Sequence, residues 1–130
     1  MYTVSMKAKI IDTAFIGYPA QNMARSRAFY EGVLGLAVAQ EFAEGWVEYQ
    51  VGSTTLSLGS MESWKSAQMV GPGVAFEVDN FADFIEHLKN NKVTFTMEPV
   101  VMESCSMAVI TDPDGNLITI HSLAPSRRNS

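Results

Sequence analysis

The chain has 130 residues, 47% of them hydrophobic, enough for one domain that buries about two thirds of its unfolded surface. A net charge of −5, with basic residues scattered except for Arg127 and Arg128 at the end, disfavours nucleic acid and anionic membrane as partners. The single Cys105 excludes an internal disulfide, no apolar run is long enough to cross a bilayer, and Met1 to Ile10 lacks a signal-peptide pattern, so a cytoplasmic setting is expected.

In chain order, Asp12 to Tyr18 reads as a strand, and Asn22 can cap a helix from Met23 to Val33 that turns Phe29, Tyr30 and Val33 to the core and ends at Gly35. Three short strands follow, at Leu36 to Gln40, Gly45 to Val51 and Thr54 to Leu58. Beyond a linker from Gly59 to Gly71 the plan returns. Gly73 to Val78 alternates, and Asn80 can cap a helix whose Phe81, Phe84, Ile85 and Leu88 fall at i, i+3, i+4 and i+7, with Asp83 suiting the dipole. Thr94 to Met97, Ser106 to Thr111 and Leu117 to Ser122 are the last strands. The last two are joined by Asp112-Pro113-Asp114-Gly115-Asn116, a run whose Asp-Pro and Asp-Gly-Asn steps favour a chain reversal.

A shift of 58 residues superimposes the two helices and the strands before them. The chain therefore reads as an α+β fold of two βαβββ modules, about 8–60 and 71–123, in a single domain covering 1–130. The uniformly apolar strand positions should face the helices: Ile16, Val47, Tyr49, Val51, Leu56, Leu58, Val74, Phe76, Val78, Ala108, Ile110, Ile118 and Ile120. The opposite face then carries a mixture of aromatic, small and polar groups, including Phe15, Trp46, Glu48, Ser57, Gly73, Glu77, Met107, Thr119 and His121. Such a face is either solvated or the wall of a ligand pocket.

Two such modules, with Ser26-Arg27-Ala28-Phe29-Tyr30 and Val33-Leu34-Gly35-Leu36 in the first helix and the Asp112 to Asn116 turn in the second, resemble the vicinal oxygen chelate superfamily of glyoxalases, bleomycin and fosfomycin resistance proteins and extradiol dioxygenases. The resemblance covers residues 8 to 123. It implies a curved mixed sheet, an open half-barrel with the helices on its outer face, and frequent dimerisation. In metal-dependent members the first and last strands of each module supply the ligands; by register those positions here are Phe15, Ser57, Gly73 and Thr119. Phe15 and Gly73 offer no donor, and neutral hydroxyls are weak ones, so the resemblance points to a member without the usual metal site and with no cofactor. A divalent metal on displaced ligands, built from His121, Glu48 and Glu77, is the alternative.

Glu48, Glu77 and His121 are the candidate catalytic groups, since a desolvated carboxylate can act as general acid or base; the competing reading is that strand carboxylates are simply solvated. Trp46 can stack on a planar ligand or pack against a neighbouring subunit. His87 lies on the second helix, away from the open face. Cys105 sits beside Glu103 without a basic neighbour and reads as a small half-buried residue rather than a nucleophile. Met61, Met69, Met97, Met102 and Met107 can line an adaptable apolar pocket or fill core gaps.

Three functions are consistent with this pattern. The first is a metal-independent binding protein for a small aromatic or amphipathic compound, with an acidic balance that favours a neutral or cationic ligand. The second is a metal-dependent lyase, isomerase or dioxygenase, so the sequence leaves open whether the chain is an enzyme. The third is a ligand-free scaffold covered by another copy, and a homodimer aided by Trp46 and Trp64 is expected in each case.

Overall fold

A computed structural model describes residues 14–42, 45–62 and 73–125. The elements are β1 (Ile16–Pro19), α1 (Met23–Arg27) continuing into a π-helical segment (Ala28–Val33), β2 (Val38–Phe42), β3 (Trp46–Val51), β4 (Thr54–Gly59), β5 (Val74–Glu77), α2 (Phe81–Asn90), β6 (Phe95–Val101), β7 (Cys105–Thr111) and β8 (Leu117–Leu123). They form two four-stranded sheets ordered β1-β4-β3-β2 and β5-β8-β7-β6. In each sheet the first and last strands of the module pair in parallel, and the remaining pairs are antiparallel. The expected α+β fold is present: two βαβββ modules that leave an open half-barrel rather than a closed one.

The repeat is exact at the helix starts. Asn22 Oδ1 accepts from Arg25 N and Asn80 Oδ1 from Asp83 N, each at 3.0 Å, so both asparagines satisfy a backbone donor that the first helical turn leaves without a partner. Just beyond β1 and β5, Ala20 N donates to Gly59 O at 2.8 Å and Val78 N to His121 O at 2.9 Å, again equivalent bonds.

All of the strand positions expected to face the helices belong to the core cluster or pack against it. Val47, Tyr49, Leu56, Leu58, Ala108, Ile110, Ile118 and Ile120 are fully or almost fully buried. Each buried leucine or isoleucine contributes about 1.5–3 kcal/mol relative to exposure, so the alternation alone fixes which face is inside. Tyr18, Tyr30 and Tyr49 sit together, with ring centroids 6.2 Å apart in both the Tyr18–Tyr30 and Tyr30–Tyr49 pairs.

Beyond shifted strand ends, such as β1 starting at Ile16 and β2 at Val38 rather than Leu36, two elements differ from expectation. The first helix is α-helical only to Arg27; from Ala28 it widens, and Leu34 N bonds Phe29 O at 2.9 Å, five residues back. A 3.6-residue pattern cannot register this, because an α-helix would already turn Phe29 and Tyr30, both buried here, toward the core. β6 runs on to Val101 despite Pro99, which is tolerated on an edge strand whose register shifts on either side of Met97. Asp12, Trp64 and Met69 lie outside the described residues.

The modules join within the one chain through the Asp112 to Asn116 turn. Tyr30 Oη donates to Asp112 Oδ2 at 2.9 Å, and Asp112 also accepts from Asp114 N, Asn116 N and Asn116 Nδ2. Asp114 accepts from Gln21 N, Ser26 Oγ and Arg25 Nη2, while Asn116 Nδ2 reaches Pro19 O at 3.3 Å. Burial first, and then the Asp112 charge, push the Tyr30 hydroxyl pKa well above the usual tyrosine value. Tyr18 makes the most unusual contact: where register would bring Val74 N–H to Leu117 C=O, the Tyr18 hydroxyl accepts from the former at 2.6 Å and donates to the latter at 3.0 Å.

Candidate functional site

The side of the sheets away from the core carries the candidate residues, positioned by strand register. In module one Ser57 on β4 lies between Gly17 of β1 and Glu48 of β3. Trp46, two residues before Glu48 and therefore on the same face, donates from Nε1 to Glu48 Oε2 at 2.9 Å. Phe15 meets the Trp46 ring edge-on, with centroids 5.0 Å apart and planes at 85°. Ser57 is fully buried, and its Oγ has no hydrogen-bond partner among the described residues. A buried hydroxyl left unpaired costs about 1–3 kcal/mol, so a fold retains one where something else engages it.

In module two Glu77 on β5 stands beside His121 on β8, which in turn pairs with Met107 on β7. His121 Nδ1 donates to Glu77 Oε1 at 2.6 Å, and Glu77 Oε2 accepts from Leu123 N at 2.8 Å. The carboxylate thus fixes the imidazole orientation, and in the neutral ring Nε2 is the acceptor. Thr119 is half-buried between Ala75 and Val109. Gly73 adopts φ +63°, and an added Cβ would meet nothing within 4 Å among the described residues, so backbone conformation calls for glycine.

The three candidate catalytic groups do not converge. Glu77 and His121 form a pair, Glu48 is engaged by Trp46, and among the described residues no three His, Cys, Asp or Glu side chains are grouped so as to hold a metal ion. The positions expected from the resemblance present a phenyl ring, an isolated hydroxyl, a glycine and a second hydroxyl, a set that does not fit a divalent cation. His87 stands apart from all of these, donating from Nε2 to Val33 O at 2.8 Å. Cys105 is half-buried on β7.

Sequence reasoning missed the unpaired state of Ser57, because it depends on what surrounds a strand residue rather than on the residue. It also missed a cleft of ≈ 650 Å³ lined by Ile16, Val51, Leu56, Val74 and Phe76, all expected simply as core. No alternation could reveal this cleft, since it lies where one module meets the other.

Duplicated βαβββ modules with equivalent caps and an open sheet face define a glyoxalase-like protein. The chain belongs to the glyoxalase/bleomycin resistance protein/dioxygenase superfamily, whose family model matches residues 12–120. None of the curated proteins matches it in sequence. Among solved structures it is similar to TnmS3, an antibiotic binding protein from a Streptomyces species, with a TM-score of 0.71, 19% identity and coverage of 90% of this chain and 99% of that one. It is similar also to lactoylglutathione lyase from Agrobacterium tumefaciens, with a TM-score of 0.68, 18% identity and coverage of 88% and 96%. A glyoxalase/bleomycin resistance protein/dioxygenase from Alicyclobacillus acidocaldarius matches with a TM-score of 0.67, 15% identity and coverage of 89% and 94%. At these identities the likeness is one of fold.

Proposed function

We propose that this chain is a metal-independent small-molecule binding protein whose ligand lies on the open sheet face against Phe15, Trp46, Glu48 and Ser57. The observation that carries the reading is the Ser57 hydroxyl, buried without a partner among the described residues at a position where the family resemblance leads one to look for a metal ligand. A ligand hydroxyl, amide or carbonyl would satisfy it, while the Phe15–Trp46 pair offers an aromatic surface and Glu48 a negative charge beside it. These groups suit a planar compound that is neutral or cationic. An antibiotic binding protein of the same fold supports the class of function without identifying the ligand.

The test is thermal shift of the purified protein against a panel of planar and cationic compounds, followed by titration of any hit. Saturable binding that Ser57→Ala and Trp46→Ala both weaken supports the proposal; a panel without saturable binding sinks it. The proposed partners are this ligand and a second copy of the chain in the cytoplasm. The exposed apolar residues Val38 and Phe42 of β2, with Val100 and Val101 of β6, suit a homodimer interface.

The Glu77–His121 pair favours a second reading, an enzyme of the same superfamily. A carboxylate-oriented imidazole is a suitable general base toward a substrate on the open face. A metal in such an enzyme would need a donor from beyond this pair, for example from a partner copy. Stoichiometric Ni, Zn, Mn or Fe in protein purified without chelator would favour this reading over the first.

A further inference from the structure

The internal repeat makes the modules meet at two equivalent junctions, and the described residues fill only one of them. At the first, β1 and the start of α1 hold the Asp112 to Asn116 turn through Tyr18, Arg25, Ser26 and Tyr30. At the second, the equivalent residues of β5 and α2 are Phe76, Asp83, Phe84 and Leu88. Strand register carries the comparison to the other partner: Asp112 N bonds Asn116 O, as Val51 pairs with Thr54, so Val51 and Thr54 hold the places of Asp112 and Asn116. Every polar side chain that α1 and β1 use to grip the turn is replaced by a hydrocarbon or reversed in charge.

The consequence is geometric. Tyr18, Tyr30, Asp112 and Asn116 are at most 5% exposed, whereas the second junction is the cleft of ≈ 650 Å³ walled by Ile16, Val51, Leu56, Val74 and Phe76. A neighbouring hollow of ≈ 340 Å³ shares Val51, Phe76 and Glu77 with it and is bordered by Leu34, Phe84 and Asp79. Carboxylates mark this border, and among the described residues no lysine or arginine lines either space. A cleft of this size lies within the usual range for small-molecule sites, about 300–1,000 Å³.

We infer that this junction is a second binding site, apart from the Phe15, Trp46, Glu48 and Ser57 surface, that takes an apolar compound carrying a protonated amine. The hydrocarbon body covers the half-buried Val51, Val74 and Phe76 side chains, removing them from water, and the ammonium turns to Asp79 at the mouth. An anionic head is disfavoured there, because the arginine that receives Asp114 at the first junction is replaced by Asp83 at the second.

A matched trio tests this: 4-phenylbutylamine, 4-phenylbutanol and 4-phenylbutyrate, titrated calorimetrically into the intact protein. The amine should bind tightest, the alcohol about threefold more weakly, as expected for a partly solvated ion pair, and the carboxylate weakest. Asp79→Asn should bring the amine to the level of the alcohol. Val51→Trp, which fills the cleft, should weaken all three there by at least about tenfold, read from the Ile16 and Val74 methyl shifts, and those shifts persist in Trp46→Ala and Ser57→Ala. Methyl NMR shifts of Ile16, Val51 and Val74 on adding the amine locate the site without any variant. A carboxylate that binds as well as the amine, unmoved methyls, or loss of those methyl shifts in Trp46→Ala overturns the inference.

Discussion

The Tyr30 hydroxyl donates to Asp112 Oδ2 at 2.9 Å in the interior, across 82 residues of sequence, and so ties the first helix to the turn that enters the last strand. Tyr30→Phe leaves a buried carboxylate with one donor fewer, which should cost about 1–3 kcal/mol in denaturant unfolding. The same pair sets an alkaline limit. The Tyr30 pKa is raised in the folded protein, so its stabilisation is complete below the ordinary tyrosine value near 10 and is lost as pH climbs above it, where the unfolded chain ionises and the folded one does not. Stability measured from pH 9 to about 11 should fall less steeply in Tyr30→Phe than in the wild type, by up to about 1.4 kcal/mol per pH unit. Parallel curves would contradict this.

Ser57→Ala separates stability from binding. The Ser57 hydroxyl has no partner among the described residues, so its removal gives up no hydrogen bond there and relieves an unpaired buried dipole. The variant should be as stable as the wild type or more stable by up to about 1 kcal/mol, while ligand binding on the open face weakens. A clear drop in the melting temperature of the free variant would show that the hydroxyl already has a structural partner.

Asn22→Ala and Asn80→Ala each remove one cap of the same geometry and should each cost about 1 kcal/mol. The caps belong to different modules and share no partner, so the double variant should lose close to the sum. Chemical denaturation of the three variants checks this, and a double variant no worse than either single one would refute it.

Glu31 governs the acid side. Its hydrogen bond from Arg27 holds the carboxyl below the usual glutamate range, helped by Tyr49 Oη at 2.8 Å and opposed by burial. A lowered folded pKa stabilises above the unfolded value near 4.3 and is lost as pH falls through the folded one. Glu31→Gln should therefore narrow the stability difference between pH 6 and about pH 3, by less than about 1 kcal/mol because the pair is partly solvated. An unchanged acid limb would remove Glu31 from the account.

The modules were legible in sequence because their signals are local: Asn22 and Asn80 each cap the helix that follows within three residues, and Ile118 and Ile120 face inward because strands alternate. The widened turn at Phe29 and Tyr30 was not, since i→i−5 bonding leaves a pattern that still passes for an α-helix. Period-two facing put Glu77 and His121 on one side of the sheet, but only the parallel register of β5 on β8 makes them neighbours. Val51 and Phe76 read as core and do pack on it, yet they also wall the cleft. Which parts of an apolar face stay uncovered depends on the second module, and nothing in the first encodes that.

The hydroxyl that Tyr18 lends to the first rung between β5 and β8 bears on the order of folding. Parallel strands so far apart in sequence pair late, and here the rung also needs a side chain 56 residues before Val74. The second sheet therefore cannot finish before the first has docked. A chain emerging N-terminus first presents Tyr18 well before Val74 is made, so synthesis delivers the parts in the sequence in which they are required. Unfolding should accordingly be a single all-or-none transition, without a surviving half.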